Sequence, residues 1–353
     1  MMHTLHRLGE SIPFEDAIAS LLLTVNIFAP TEWFLNHIFG AGMDVLADLL
    51  STPMLGYPYM QRAYLAAVCI ALIGPVVGTF LVHREMAMIS DTLAHTAFAG
   101  VAVGLFLNSA LSLTLSPLFT AFVVAVVTAL LVELLVEHAG AYSDTSLAIV
   151  LTGGFAVGSI LITATDGGIA VGIDAYLFGS LATVSTENVG ILVLMSVLVG
   201  SLVTLAYRPL LYVTFDATAA RAARLNVRLY KRLMVVLTAL VVVSAMQIMG
   251  VILVAAMLVV PVAGASQVAR SFNESLLISV VLAELAVILG IGASYYGEAT
   301  AGGVIVLVAV AIYVVAVVLG KVQTAFGEEE TPEMGSIDTN EPVSRGERHR
   351  PES

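Results

Sequence analysis

The chain has 353 residues, 59% of them hydrophobic and only 11% charged, against about 25% charged in an ordinary soluble domain. That composition excludes a soluble globular enzyme and points to an all-α polytopic membrane protein with no nucleic-acid partner. The formal net charge of -12 is unusual for a class whose cytoplasmic loops tend to be basic, and the single cysteine, Cys69, rules out disulfides within the chain and thiolate clusters.

Residues 1–16 read as a mature tail, because Glu10, Glu15 and Asp16 precede the first apolar run and no clear cleavage site follows it. A crossing helix needs about 20 mostly apolar residues. Residues 17–39 are a weak first candidate, interrupted by Asn26, Pro30 and Glu32, with Trp33 and Phe34 suited to an interface. Residues 40–62 are amphipathic, carry Pro53 and Pro58, and read as an interfacial connection. Spans are predicted at 63–82, 89–107, 117–136, 146–165, 188–207, 275–294 and 302–320. The Gly-rich stretch 167–186 suits a short external helix or a re-entrant segment. The apolar run 233–268 is too long for one crossing at about 1.5 Å per residue, so Gly250 and Pro261 are expected to break it into two shorter helices. About 8–10 transmembrane helices result. Residues 328–353 are acidic, with Pro, Ser and Gly, and are expected to be disordered.

Arg208, Arg221, Arg224, Arg228, Lys231 and Arg232 cluster in one short interval, which sets it in the cytoplasm. Counting spans from there puts Arg84, Arg270 and Lys321 on the same side. Both termini follow if 17–39 crosses; Arg62 then faces outward, against the trend.

Within the span that follows Arg84, Asp91 and His95 lie four residues apart and so share one helix face. A carboxylate and an imidazole so placed can hold one hard or borderline divalent cation, and ionisable groups inside a membrane are costly enough to suggest a function. An Asp cap beside a core histidine is the competing reading, and the pair alone leaves both open. In the basic interval, residues 215–227 read as a short helix: Asp216 is a favoured N-cap, Ala219 and Ala220 are strong helix formers, and Arg221 and Arg224 come late, complementing the dipole. With Phe215 ahead of it, such a helix suits docking into a partner's groove or plain solvation. Glu133, with Glu137 and His138, reads as a helix end reaching water rather than an ion relay. Glu284, mid-span, must be protonated, paired, or lining a cavity. Met86, Met88, Met246, Met249 and Met257 suggest packing.

Taken together, several blocks resemble the membrane permease of the metal-ion ABC importers, the ABC-3 family serving zinc, manganese and iron. They are Met60-Gln61-Arg62-Ala63, Asp91-Thr92-Leu93-Ala94-His95, Leu177-Phe178-Gly179-Ser180-Leu181, the run from Gln247 through Gly250 to Pro261, and Ser294-Tyr295-Tyr296 followed by Ala301-Gly302-Gly303. The sequence departs at Gly297-Glu298, where a Pro-containing turn is more typical. The resemblance implies a permease fold of the cobalamin/siderophore importer type over residues 57–323, flanked by an extension at 1–56 with a possible extra membrane helix and an acidic cytoplasmic tail at 324–353. It implies a multi-pass permease of the cytoplasmic membrane working as a homodimer with two ABC ATPase subunits and an extracellular metal-binding protein. This chain has no phosphate-binding loop of its own and is not expected to be an enzyme or to bind a cofactor. Residues 215–227 resemble the family's coupling segment. Asp91 and His95 become the expected ligands of the transported ion. One chain offers two, a twofold dimer four, and an N/O set suits zinc, manganese or ferrous iron rather than copper(I). A siderophore or cobalamin permease and a stand-alone proton-coupled carrier are the rival readings; neither needs both the pair and the cytoplasmic helix. Truncation after Gly327 is expected to leave transport near the full-length level, measured as uptake.

Overall fold

A computed structural model describes residues 29–111, 115–138, 143–164, 176–179 and 184–328. The readings for 1–28, for most of 167–186 and for the tail beyond 328 lie outside these residues. The described chain is helical throughout, with no strand. A first helical stretch joins α1 (Ala29–Phe34), a π-turn (Leu35–Phe39) and α2 (Gly40–Leu50). A 3-10 turn at Pro53–Gly56 leads into α3 (Pro58–His83). Then come α4 (Met88–Leu111), α5 (Pro117–His138), α6 (Ser143–Ala164), α7 (Thr186–Phe215), the short α8 (Ala217–Ala222), α9 (Val227–Ala265), α10 (Phe272–Gly297) and α11 (Ala301–Glu328). Residues 29–39, expected to end a span, instead run on helically to Leu50. α7 passes through Pro209 to Phe215, eight residues beyond the predicted end at 207.

Eight of these helices are long and apolar enough to cross a membrane, and one of them, α9, folds back on itself. The 39 residues of α9 would extend roughly 60 Å if straight, about twice the hydrocarbon thickness. They do not run straight, because Gly250 leaves the helical region with φ 79 and ψ 158. The first turns of α9, through Val235, share a pocket with Leu81 and Arg84 at the end of α3. Just beyond its last turn, Phe272 packs on Phe80 and His83, at that same end of α3. The chain therefore turns back at Gly250. Pro261, the second expected break, sits inside the return limb without breaking it. Proline removes the hydrogen bond to the carbonyl four residues earlier, and here that carbonyl, Met257, faces Gly74 on α3.

Without a hydrophobic drive between helices in lipid, close packing over small residues holds a bundle together. Three glycine pairs four residues apart do this here. Gly74 and Gly78 of α3 back onto the return limb at Met257 and Leu258; Gly100 and Gly104 of α4 back onto α5 at Ala121 and Thr120. Gly154 and Gly158 of α6 lie against Thr96 and Ala99 of α4. The centre is filled by α3 and α9, where Phe80, Ile70, Met234 and Met246 are fully buried. Met249 and Met257 also belong to this core, as packing residues. At the His83 end, Phe80, His83, Tyr207, Phe215 and Phe272 form one aromatic cluster. The turn at Gly297-Glu298, where the sequence lacks a proline, closes through Glu298 at φ 50 and a hydrogen bond from Ser294 Oγ to the Ala299 carbonyl.

Candidate functional site

Asp91 lies in the first turn of α4 and His95 one turn further on. His95 Nε2 stands 3.5 Å from Asp91 Oδ1, so both atoms aim at one point. That spacing suits a shared cation, since zinc stands about 2.0–2.2 Å from each such ligand. The neighbouring helix sets the pair's surroundings. Thr92 Oγ1 donates to the Leu147 carbonyl of α6, and a Cβ at Gly154 would lie 2.5 Å from Thr96. Glycine thus lets α6 approach closely, and Phe155, next to it, meets the His95 ring edge-on at 5.5 Å. Phe155 also stacks on Phe98, which holds it in place. The pair does not sink into the bundle: His95 is 24% exposed and Asp91 45%. His95 Nδ1, by contrast, is buried with no hydrogen-bond partner. No cluster of three or more His, Cys, Asp or Glu occurs among the described residues. Asp91 sits inside the first turn of α4, and its Oδ1 faces the imidazole.

At the His83 end lies the basic interval. Asp216 caps α8 as expected, accepting from Thr218 N at 2.9 Å and Ala219 N at 2.8 Å. The helix is shorter than the 215–227 expected, ending at Ala222. Arg224 lies beyond it in a left-handed turn at φ 61, so only Arg221 complements the helix end. Ala220 is fully buried against Val213 and Val227. The outward-facing residues include Phe215, Thr218, Ala219, Arg221 and Arg224. Ala220 is therefore part of the support and not of the docking surface. Beside this element opens a pocket of about 790 Å³, lined by Arg84, Glu133, Arg221, Arg228 and Lys231 among others. Burial pulls the Arg84 guanidinium below its ordinary value, and nearby Glu133 opposes that shift.

Glu133 is not a helix end reaching water. Its carboxylate pairs with Arg232 Nε at 3.3 Å and its side chain is mostly buried, tying α5 to the start of α9. Glu284 is half-buried on α10, near Cys69 of α3. The structure also brings together residues that sequence reasoning left apart. Gly179, Gly250 and Gly302 meet backbone to backbone at the end of the bundle away from His83: a Cβ on Gly250 would lie 2.5 Å from Gly179 N, and one on Gly302 2.7 Å from the Phe178 carbonyl. Three of the resembling blocks thus form one junction, which their shared glycine content could have suggested.

Residues 56–320 match the ABC 3 transport family. The chain is 31% identical over 267 residues, covering 74% of this chain and 88% of the relative, to the manganese transport system membrane protein MntC of Halalkalibacterium halodurans. It is 32% identical to a probable metal transport system membrane protein of Treponema pallidum, covering 77% and 99% of the two chains. Among solved structures it is similar to PsaBC from Streptococcus pneumoniae in complex with Fab, at 27% identity and a TM-score of 0.68, covering 77% of this chain and 95% of that one.

Proposed function

The chain belongs to the ABC 3 transport family, and on that premise we propose that it is the permease subunit of an ATP-driven importer of divalent metal ions. The observation that carries the site assignment is the convergence of Asp91 Oδ1 and His95 Nε2 on one point of α4. Two such faces related by a twofold axis would offer two carboxylates and two imidazoles, a full set for a transient stop along the path. Binding there must stay weak enough for release. The exposed face of α4 and α6 is where a second copy would dock, and it would complete both the ligand set and the surroundings of His95 Nδ1.

Membership of the ABC 3 transport family supports the rest of the system. ATP hydrolysis falls to separate ABC ATPase subunits, delivery to an extracytoplasmic metal-binding protein, and the membrane is the cytoplasmic one. The basic end, with Arg84, Arg221, Arg270 and Lys321, faces the cytoplasm, and α11 delivers the C-terminal tail to that side. The test is metal uptake into vesicles by the complete complex, screened over zinc, manganese and iron, with and without the ATPase. Transport that persists without the ATPase would overturn the reading.

α8 is the contact through which the ATPase would act. Ala219→Glu places a carboxylate on its outward face and is expected to lower transport-coupled ATPase activity at least about tenfold, since a buried unpaired charge costs several kcal/mol. Thermal stability of the permease alone should not change. Ala220→Glu, facing Val213 and Val227, is expected to destabilise the permease itself. Full coupling in Ala219→Glu would remove α8 from the interface.

A further inference from the structure

The helical stretch 29–50 lies outside the family match, and its three faces have three different characters. One face packs on the bundle: Leu35 and Gly40 are buried, and Phe39, Met43 and Ala47 lie against the core. Gly40 is required there, since a Cβ would stand 2.8 Å from the Leu35 carbonyl and 2.9 Å from Gln61 Oε1. A second face carries Asp44 and Asp48, one turn apart. Asp44 Oδ1 accepts a 2.7 Å hydrogen bond from Gln61 Nε2, which fastens α2 to the first turn of α3. The third face carries Val45 with Leu49, and Leu46 with Leu50, again one turn apart; all four are exposed, Leu49 to 77% and Val45 to 68%.

On the α1 side the exposed residues are Trp33, Phe34 and Ile38. Trp33 stacks on His37 at 5.5 Å, while His37 Nδ1 meets the Trp33 carbonyl at 3.1 Å. α1 packs on α7, whose own outward residues include Leu194 and Val197. Through α1, the stretch 29–50 thus adjoins α7, one of the helices long and apolar enough to cross a membrane. Three acids, Glu32, Asp44 and Asp48, make the stretch too polar to be sunk in hydrocarbon.

We propose that residues 29–50 form a membrane-surface anchor, lying at the headgroup boundary of the bilayer at the Pro58 end of the bundle, with Trp33, Ile38, Val45, Leu46, Leu49 and Leu50 in contact with lipid. An amphipathic helix with one apolar and one charged face settles about 5–10 Å into that boundary, and tryptophan favours the same depth. The Asp44–Gln61 bond then makes the anchor rigid with α3, so the bilayer surface bears directly on the end of the bundle where Gly250 turns.

Trp33 is the only tryptophan in the chain, so its fluorescence reports this helix in the intact permease. The full chain is placed in phosphatidylcholine vesicles brominated either near the headgroup or near the chain ends, and iodide is added from water. Shallow bromines are expected to lower Trp33 emission roughly twofold, deep bromines less, and iodide little, as for a side chain at the interface. The double variant Leu46→Glu with Leu49→Glu should lose much of the shallow quenching while retaining the bundle, because neither residue faces it. Stronger quenching by deep bromines would make the stretch a crossing helix and overturn the proposal. So would strong iodide quenching, which puts the face in water. Protection from all three would mean that protein, either a second copy or a delivery partner, covers the face instead of lipid.

Discussion

Asp91→Ala and His95→Ala each abolish metal uptake while the permease still assembles with its ATPase: that is the outcome expected of the α4 pair. With two ligands per chain, removing one removes half of what each copy contributes. Loss of even an outer-sphere partner costs metal sites about 10–100-fold in affinity or activity, and a direct ligand should cost at least as much. The fold should survive, because Asp91 and His95 are partly exposed and neither fills the core. Asp91→Asn and His95→Gln preserve size and separate lost ligation from lost packing. The measurement is uptake of labelled manganese or zinc into vesicles, alongside co-purification of the ATPase. Uptake near the wild-type level in both alanine variants would remove the pair from the path.

Gly250→Ala is expected to have the largest effect on the permease itself. At φ 79 and ψ 158 the backbone occupies a region almost restricted to glycine, and a side chain there costs about 1–3 kcal/mol in conformation alone. The added methyl also has nowhere to go, since Gly179 N and the Leu177 carbonyl would each lie 2.5 Å away. These neighbours are backbone and cannot rotate aside. The variant should melt well below the wild type in detergent or fail to elute as a single species. Gly200→Ala on α7, where nothing lies within 4 Å, is the control and should be neutral or slightly stabilising. A Gly250→Ala protein with unchanged melting would mean that the turn can be made another way.

Much of this was legible in the chain. Hydropathy located every crossing in the described residues, the length of the run 233–268 required a reversal, and Asp216 marked the start of α8 by its capping chemistry. The errors have a common cause. Pro261 was expected to break a helix because proline forfeits a hydrogen bond, yet the return limb continues through it, packed against α3. Ala220 and Ala219 are indistinguishable by propensity, and only the packing of Val213 and Val227 separates support from surface. Glu133 finds Arg232 across a sequence distance that no helical period reports. At Asp91 and His95 the spacing revealed the shared face, but the burial of Nδ1 and the edge contact of Phe155 depend on how closely α6 approaches.

The reversal at Gly250 also governs parity. A hydropathy trace sees one apolar run over residues 233–268, and counting it as a single passage inverts the sidedness of everything after it. Reporter fusions placed after Met249 and after Gln267 should therefore give opposite answers, although no hydrophilic loop separates the two limbs. With no loop at that tip, an inserted epitope or protease site has no slack to occupy there. Among the described residues, Gly179, Gly250 and Gly302 close the bundle there backbone to backbone.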